Sequence, residues 1–238
     1  MEQDTIGLMK EAAGKAAVDN MVKSGMKLGL GTGSTAIHAV RRVGELLAQG
    51  TLSDICAFPT SFQTEIECEK LQIPFFTLNS RELSAGLDVT IDGADEVDPQ
   101  NRLIKGGGGA HLIEKLAAYA SSEFVITVDE SKLTDNLGGG FPIPVEVIPS
   151  ARVQVTKALE KIGAAVILRK AVRKAGPIIT EHGNLILDIR FNILINPSSL
   201  EAELNQIPGV VENGFFTRKP PVVYIARSNG TVEKRLPV

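Results

Sequence analysis

The chain has 238 residues, 43% hydrophobic and 22% charged, with 25 Lys and Arg against 28 Asp and Glu for a net charge of -3. That composition excludes disorder and fibrous repeats, and the length suits one core with a smaller appendage. The negative balance gives no bulk attraction to nucleic acid or an anionic membrane, so any bound anion must be held locally. Trp is absent and aromatics are 5%, a poor basis for stacking single-stranded bases. The opening stretch MEQDTIGLMKEAAGK lacks the basic start and apolar run of a secretory signal, and no run of about eighteen apolar residues occurs. Neither nucleic acid nor membrane is expected as a partner. Cys56 and Cys68 fit no metal spacing and are too few for a disulfide framework, which favours a reducing compartment.

In chain order, Ile6, Met9, Ala13, Ala17 and Met21 recur at helical spacing, predicting a helix over 4–24 that stops at Gly25. A strand, Met26–Leu30, opens through GTGSTA into a helix reaching Leu47. The pattern repeats with Ile55–Phe58, a PTS turn and a helix to about Leu71. Phe75–Leu78 and Leu87–Ile91 read as strands. The glycine run KGGGG (105–109) opens a helix from His111 to Ser121, followed by the strand 124–128. Alternating strands and helices predict an α/β domain, a Rossmann-like parallel sheet with helices on both faces.

After Leu137 the segment GGGFPIPVEVIP marks a boundary. Beyond it the strand Val145–Ile148, a helix at 150–162, strands at 164–168 and around a GN turn at His182–Asn184, a helix at 198–206 and a strand at 209–216 form a β-α-β-β-α-β series. That order suits a small α+β, ferredoxin-like domain of about 75 residues. The last apolar run, Val222–Ala226, is assigned to the edge of the large sheet. The expected domains are 1–138 with 218–238, and 139–217 inserted before the last strand.

Three constellations carry chemistry. In GLGTGSTA, glycines let the backbone approach a ligand, the following helix offers unpaired amides to an anion, and Ser34 and Thr35 add hydroxyls. A dinucleotide site wants an acidic residue about 20 positions on, where Phe58-Pro59-Thr60 stands, and a nucleotide-triphosphate loop wants a lysine after the glycines. A small phosphate ester is favoured, with a turn that binds nothing as the alternative. In IDGADEVD, Asp92, Asp95, Glu96 and Asp98 follow a strand directly, the end at which open α/β sheets bind ligands. Crowded like charge favours one member holding a proton or accepting hydrogen bonds from substrate hydroxyls. A solvated acidic turn is the alternative, and no calcium-loop spacing or nearby histidine supports a metal. In KGGGGAHLIEK, four glycines suit amides crowding an anion, Lys105 suits a phosphate or oxyanion, and Glu114 sits about 200° around the helix from Leu112. Glu114 also has a plain reading as an acid favoured by the helix dipole. His38, His111 and His182 are scattered, LRKAVRKAG at 168–176 reads as a solvated face, and Lys132 lies at a strand's C-terminal end.

GTGSTA, IDGADEVD, KGGGG with a glutamate nine positions past its lysine, and VDESK together resemble ribose-5-phosphate isomerase of the A type. PVEVIP, KAGPIIT, GNLILD and IPGVVENGFF agree, so the resemblance runs through nearly the whole chain. It implies an aldose–ketose isomerase of the non-oxidative pentose phosphate branch, with Glu114 as proton acceptor and Asp92 and Lys105 as further catalytic groups. Substrate-binding residues implied are Thr32, Gly33, Ser34, Thr35, Asp92, Gly93, Ala94, Asp95, Lys105, Gly106, Gly107, Gly108 and Lys132. Many members carry an arginine just before the glutamate; Ile113 stands here, with His111 nearby, as in the photosynthetic-type branch. No cofactor and no metal are implied, the partner is a sugar phosphate, and a homodimer or homotetramer in the cytoplasm, or in a plastid stroma, is expected. A non-catalytic sugar-phosphate sensor is the main alternative, though such modules accompany a DNA-binding segment that has no room here. A coenzyme A transferase would need a nucleophilic glutamate in a different context.

Overall fold

The computed structural model describes residues 2–237, with side chains from Thr5 onward. Helix α1 (Glu2–Met21) is followed by β1 (Lys27–Leu30), α2 (Ala36–Ala48), β2 (Cys56–Pro59), α3 (Phe62–Lys70) and β3 (Leu87–Asp92). A short hairpin, β4 (Glu96–Val97) and β5 (Leu103–Ile104), precedes α4 (His111–Ala120) and β6 (Ser121–Asp129), which ends in a 3-10 turn over Glu130–Lys132. Then come β7 (Ile143–Val147), α5 (Arg152–Lys161), β8 (Ala165–Leu168), β9 (Leu185–Arg190), α6 (Pro197–Leu204), β10 (Val210–Asn213), β11 (Phe215–Phe216), β12 (Val222–Ala226) and β13 (Val232–Arg235).

Contacts divide the chain into two compact units, one holding the chain up to Ala94, Ile113–Lys132 and Lys219 onward, the other Asp95–Leu112 and Leu133–Arg218. In the first, a six-stranded sheet has the order β13-β12-β6-β3-β1-β2, parallel except for β13. Strand alternation sends Leu28, Leu30, Val89 and Ile91 to one face, where they pack with Val18, Val40, Val43 and Cys68 of α1, α2 and α3. Thr90 faces the other way, and its Oγ1 donates to the Ala117 carbonyl of α4 at 3.0 Å. Helices thus cover both faces, as the alternating pattern predicts. Among the described residues no helix is long and apolar enough to cross a membrane.

In the second unit a four-stranded antiparallel sheet runs β10-β7-β9-β8. The chain order β7-α5-β8-β9-α6-β10 makes this the β-α-β-β-α-β arrangement expected. Its core gathers Ile143, Val145 and Val147 of β7 with Val155 and Leu159 of α5 and Leu200 and Leu204 of α6. A second, three-stranded sheet joins β11, β5 and β4.

Several local expectations are corrected. Phe75–Leu78 is no strand: Phe75 makes one bridge to Ala57, after which Thr77 N–H turns back to Ser80 Oγ at 3.2 Å. The 209–216 run splits between two sheets, and α1 ends at Met21 rather than 24. Val222–Ala226 is interior, because β13 folds back against it and takes the edge. Of β13's four residues three are charged (VEKR), a composition that protects an exposed edge from pairing with other chains. Residues 95–112 cluster with the second unit, where β5 pairs with β11 and Lys105 N–H donates to Gly214 O at 2.9 Å.

Candidate active site

The sheet of the first unit changes direction at β1, with β2 on one side and β3, β6 and β12 on the other. Where successive connections leave in opposite directions, a crevice opens at the C-terminal ends of the strands. The GTGST loop and Asp92–Ala94 occupy that position. Asp92 is fully buried and its Oδ1 accepts from Thr32 N–H at 3.1 Å and Gly93 N–H at 2.7 Å. A Cβ on Gly31 would come within 2.1 Å of the same oxygen, so only glycine lets the loop pass this carboxylate.

Behind the loop, Thr32 Oγ1 lies 2.7 Å from both Thr60 Oγ1 and Ser61 Oγ, and Thr64 Oγ1 donates to Gly31 O at 2.8 Å. Gln63 Oε1 accepts the Gly33 N–H at 3.1 Å. The loop is therefore braced by the turn after β2. Thr35, the N-cap of α2, makes no side-chain capping bond, and the first turn of α2 has no acidic residue. The positive end of the α2 dipole is thus left for an outside anion. α3, by contrast, is closed by Ser61, whose hydroxyl accepts from Thr64 N–H. From α1, Lys10 Nζ donates to Ser34 Oγ at 2.9 Å. An ammonium, two hydroxyls and a helix N-terminus meet here, a set suited to a phosphate.

Glu114 belongs to the same unit. α4 lies antiparallel to β3: Ala117 meets Thr90, while Ala120 O lies 2.8 Å from where a Cβ on Gly86 would be, beside the strand's start. Glu114, one turn before Ala117, shares its side of the helix. Thr90 and Asp92 share a face of β3. Glu114 is therefore turned toward the strand near the level of Asp92, and it is only 4% exposed. It stands in the first turn of α4, where the helix dipole favours an acid. Lys132 is half-buried in the turn that ends β6, the strand paired with β3.

The second unit holds Asp95 and the KGGGG segment. Lys105 is 2% exposed, with its ammonium 5.6 Å from the Phe216 ring centroid. Asp95 Oδ2 accepts from Gly107 N–H at 2.7 Å. Gly106 has φ +104°, and a Cβ there would lie 2.7 Å from His111 Nδ1, so the loop rests on a buried histidine. The remaining acids of IDGADEVD have other duties. Glu96 accepts from the N–H groups of Gly138, Gly140 and Phe141 at 2.7, 2.9 and 2.5 Å. Asp98 closes its own turn, with Arg102 Nε 2.6 Å from Oδ2. Among the described residues no group of three or more His, Cys, Asp or Glu side chains is placed to hold a metal ion.

The family model for ribose 5-phosphate isomerase A (phosphoriboisomerase A) matches residues 56–230. The chain belongs to this family. The ribose-5-phosphate isomerase A of Treponema denticola is 50% identical over 232 residues, covering 94% of this chain and 97% of that protein. The solved ribose 5-phosphate isomerase A of Methanocaldococcus jannaschii is 44% identical with a TM-score of 0.89, over 95% of this chain and 97% of that one. A D-ribose-5-phosphate isomerase solved with phospho-erythronic acid is 41% identical, with a TM-score of 0.90 and the same coverage.

Of the residues that the resemblance to the ribose 5-phosphate isomerase A family implies, Thr32, Gly33, Ser34, Thr35, Asp92, Gly93, Ala94, Glu114 and Lys132 lie in the first unit, and Asp95, Lys105, Gly106, Gly107 and Gly108 in the second. Lys10 escaped the sequence reading. Its signal was present: it stands four residues after Ile6 and three before Ala13, a lysine on the apolar stripe of α1.

Proposed function

We propose that the chain interconverts ribose 5-phosphate and ribulose 5-phosphate through an enediolate. Membership of the ribose 5-phosphate isomerase A family carries this reading, and the anion-binding arrangement of Lys10, Ser34 and the α2 N-terminus supports it. The non-catalytic sensor is not favoured, since a sensor has no use for a buried glutamate turned toward the strand that ends in Asp92.

In the proposed mechanism Glu114 takes the proton from C2 of the open-chain aldose. The electrons of that C–H bond form the C1–C2 double bond and the carbonyl oxygen at C1 gains charge; the C2 hydroxyl then gives its proton to the C1 oxygen as it becomes the ketone, and Glu114 returns its proton to C1. Lys105 and the glycine amides stabilise the enediolate, each donor worth about 3–4 kcal/mol if comparable to one oxyanion-hole group. Because Gly107 N–H is engaged by Asp95, Gly108 is the better donor. Asp92 and Asp95 orient hydroxyls and assist ring opening. Ser34, Thr35, Lys10 and Lys132 hold the phosphate end. The ammonium and amides supply the charge stabilisation without a cofactor.

The family likeness supports a homodimer or homotetramer, and two cysteines without a disulfide fit a cytoplasmic or stromal setting. Mixing the protein with ribose 5-phosphate and following ribulose 5-phosphate tests the central claim; absence of conversion refutes it. Sedimentation tests the assembly.

A further inference from the structure

Four consecutive glycines order at a high entropic cost, and a backbone that flexible needs external restraint before its amides can serve a developing charge. The second unit supplies one. Arg169, immediately after β8, forms a two-pronged ion pair with Asp188 of β9, Nε to Oδ2 at 2.8 Å and Nη2 to Oδ1 at 2.5 Å. The remaining nitrogen, Nη1, donates to Gly106 O at 2.7 Å and Gly107 O at 3.1 Å. The pair is only 14% and 17% exposed, so its geometry is held by packing as well as charge.

The consequence follows from peptide planarity. The Gly106 carbonyl and the Gly107 N–H belong to one trans peptide and point in opposite directions. Arg169 grips the first and Asp95 the second, so this peptide is fixed at both ends, above the floor that His111 provides. The next peptide has its carbonyl, that of Gly107, on the same guanidinium. Its N–H, that of Gly108, is thereby aimed away from Arg169. A surface arginine that merely solvated the domain would show no such division of its donors: two for a carboxylate, one for two consecutive loop carbonyls.

We infer that Arg169, locked by Asp188, is a positioning residue that sets the peptide planes of the Lys105–Gly108 loop so that Gly108 N–H faces the reacting oxygen. This rests on the isomerase reading above. Arg169 touches no substrate; it acts through the backbone it holds.

The test compares kcat and KM for ribose 5-phosphate in wild type, Arg169→Lys, Arg169→Ala and Asp188→Asn, with melting temperatures alongside. A lysine keeps the charge and the stem but not the fork. Arg169→Lys should fold and lose roughly tenfold in kcat, Arg169→Ala ten- to a hundredfold, with KM moving less than about threefold. Asp188→Asn should fall between. Guanidinium ion at low, non-denaturing concentration should restore part of the Arg169→Ala rate and none of the wild-type's. A folded Arg169→Lys with wild-type kcat overturns the inference, as does a rate loss that tracks melting temperature and resists rescue. An inert wild type would instead overturn the isomerase reading, so the two failures are distinguishable.

Discussion

Replacing Glu114 by Gln exchanges one carboxylate oxygen for an amide nitrogen at nearly constant volume, in a site only 4% exposed. No cavity opens, so the stability cost is that of a rearranged buried hydrogen bond, on the order of 1–3 kcal/mol. The rate cost is larger, because the amide has no basic oxygen to take the C2 proton. General-base catalysis contributes roughly 100- to 10,000-fold, about 2.7–5.4 kcal/mol at about 1.36 kcal/mol per decade. KM should stay within about tenfold, since in the proposed mechanism the phosphate is held at Lys10, Ser34 and the α2 N-terminus, independently of Glu114. Glu114→Asp would withdraw the carboxylate by about one carbon–carbon bond, roughly 1.5 Å, a misplacement worth about a hundredfold. The assay follows ribulose 5-phosphate formation, with sugar recovered from deuterated water analysed at C1 and C2. Wild type should incorporate solvent deuterium and Glu114→Gln almost none. Turnover of Glu114→Gln within tenfold of wild type, or undiminished deuterium uptake, refutes the assignment of the base.

Lys10→Ala should raise KM for ribose 5-phosphate roughly tenfold or more while changing kcat less than about threefold, because a charge-assisted phosphate contact is lost in ground and transition states alike; inorganic phosphate should inhibit the variant less. Burial pushes the Cys68 thiol up to about 12, with Glu65 and Glu67 adding to it, so a thiol reagent at pH 8 should leave Cys68 unmodified in the native protein and reach it only after denaturation. The hydrogen bond and charge of Arg41 hold Glu67 below 4.5 against a smaller opposing effect of burial. Its contribution to stability is therefore complete above pH 4.5 and lost as the pH falls below; Glu67→Gln should lower stability at pH 7 by less than about 1 kcal/mol and flatten the acid side of a melting-temperature profile. Exhaustive chelation should leave the rate unchanged, since the proposed mechanism assigns the charge stabilisation to Lys105 and the loop amides; a rate lost on chelation and restored by a divalent cation would contradict that.

The parallel core was legible because its strands read as short, mostly apolar runs, two of them followed at once by a turn and a helix: GTGST after β1 and Thr60-Ser61 after β2. What escaped was short or locally ordinary. β4 and β5 are two residues each, below any detectable period. β13 carries an edge strand's charges and none of the alternation of a half-buried one. Phe75–Leu78 has the composition of a strand, but Thr77 and Ser80 bond each other and turn the chain away. Glu114 is singled out by its distance from a glycine run; its burial is not readable in the sequence, since that depends on Thr90 docking α4 against β3. In the sequence Arg169 reads as part of a solvated basic stretch, because its partners lie 19 and 63 positions away.

The acidic run IDGADEVD explains why local clustering misleads. Its members crowd in sequence, yet each serves the backbone of a different loop: Asp92 the GTGST turn, Asp95 the glycine loop, Glu96 the 138–141 segment and Asp98 its own turn. Glycine-rich loops expose amides that no side chain of their own can satisfy, and a carboxylate is the strongest partner for them. The fold thus spends its acids on holding flexible backbone in fixed orientations. Only a loop already fixed can greet a developing oxyanion without reorganising at the moment of reaction. Asp95→Asn should lower kcat both through Gly107, whose peptide Arg169 grips at the other end, and through any contact of Asp95 with the substrate. Combining it with a change at Arg169 should then cost less than the product of their separate effects, the signature of two residues restraining one element.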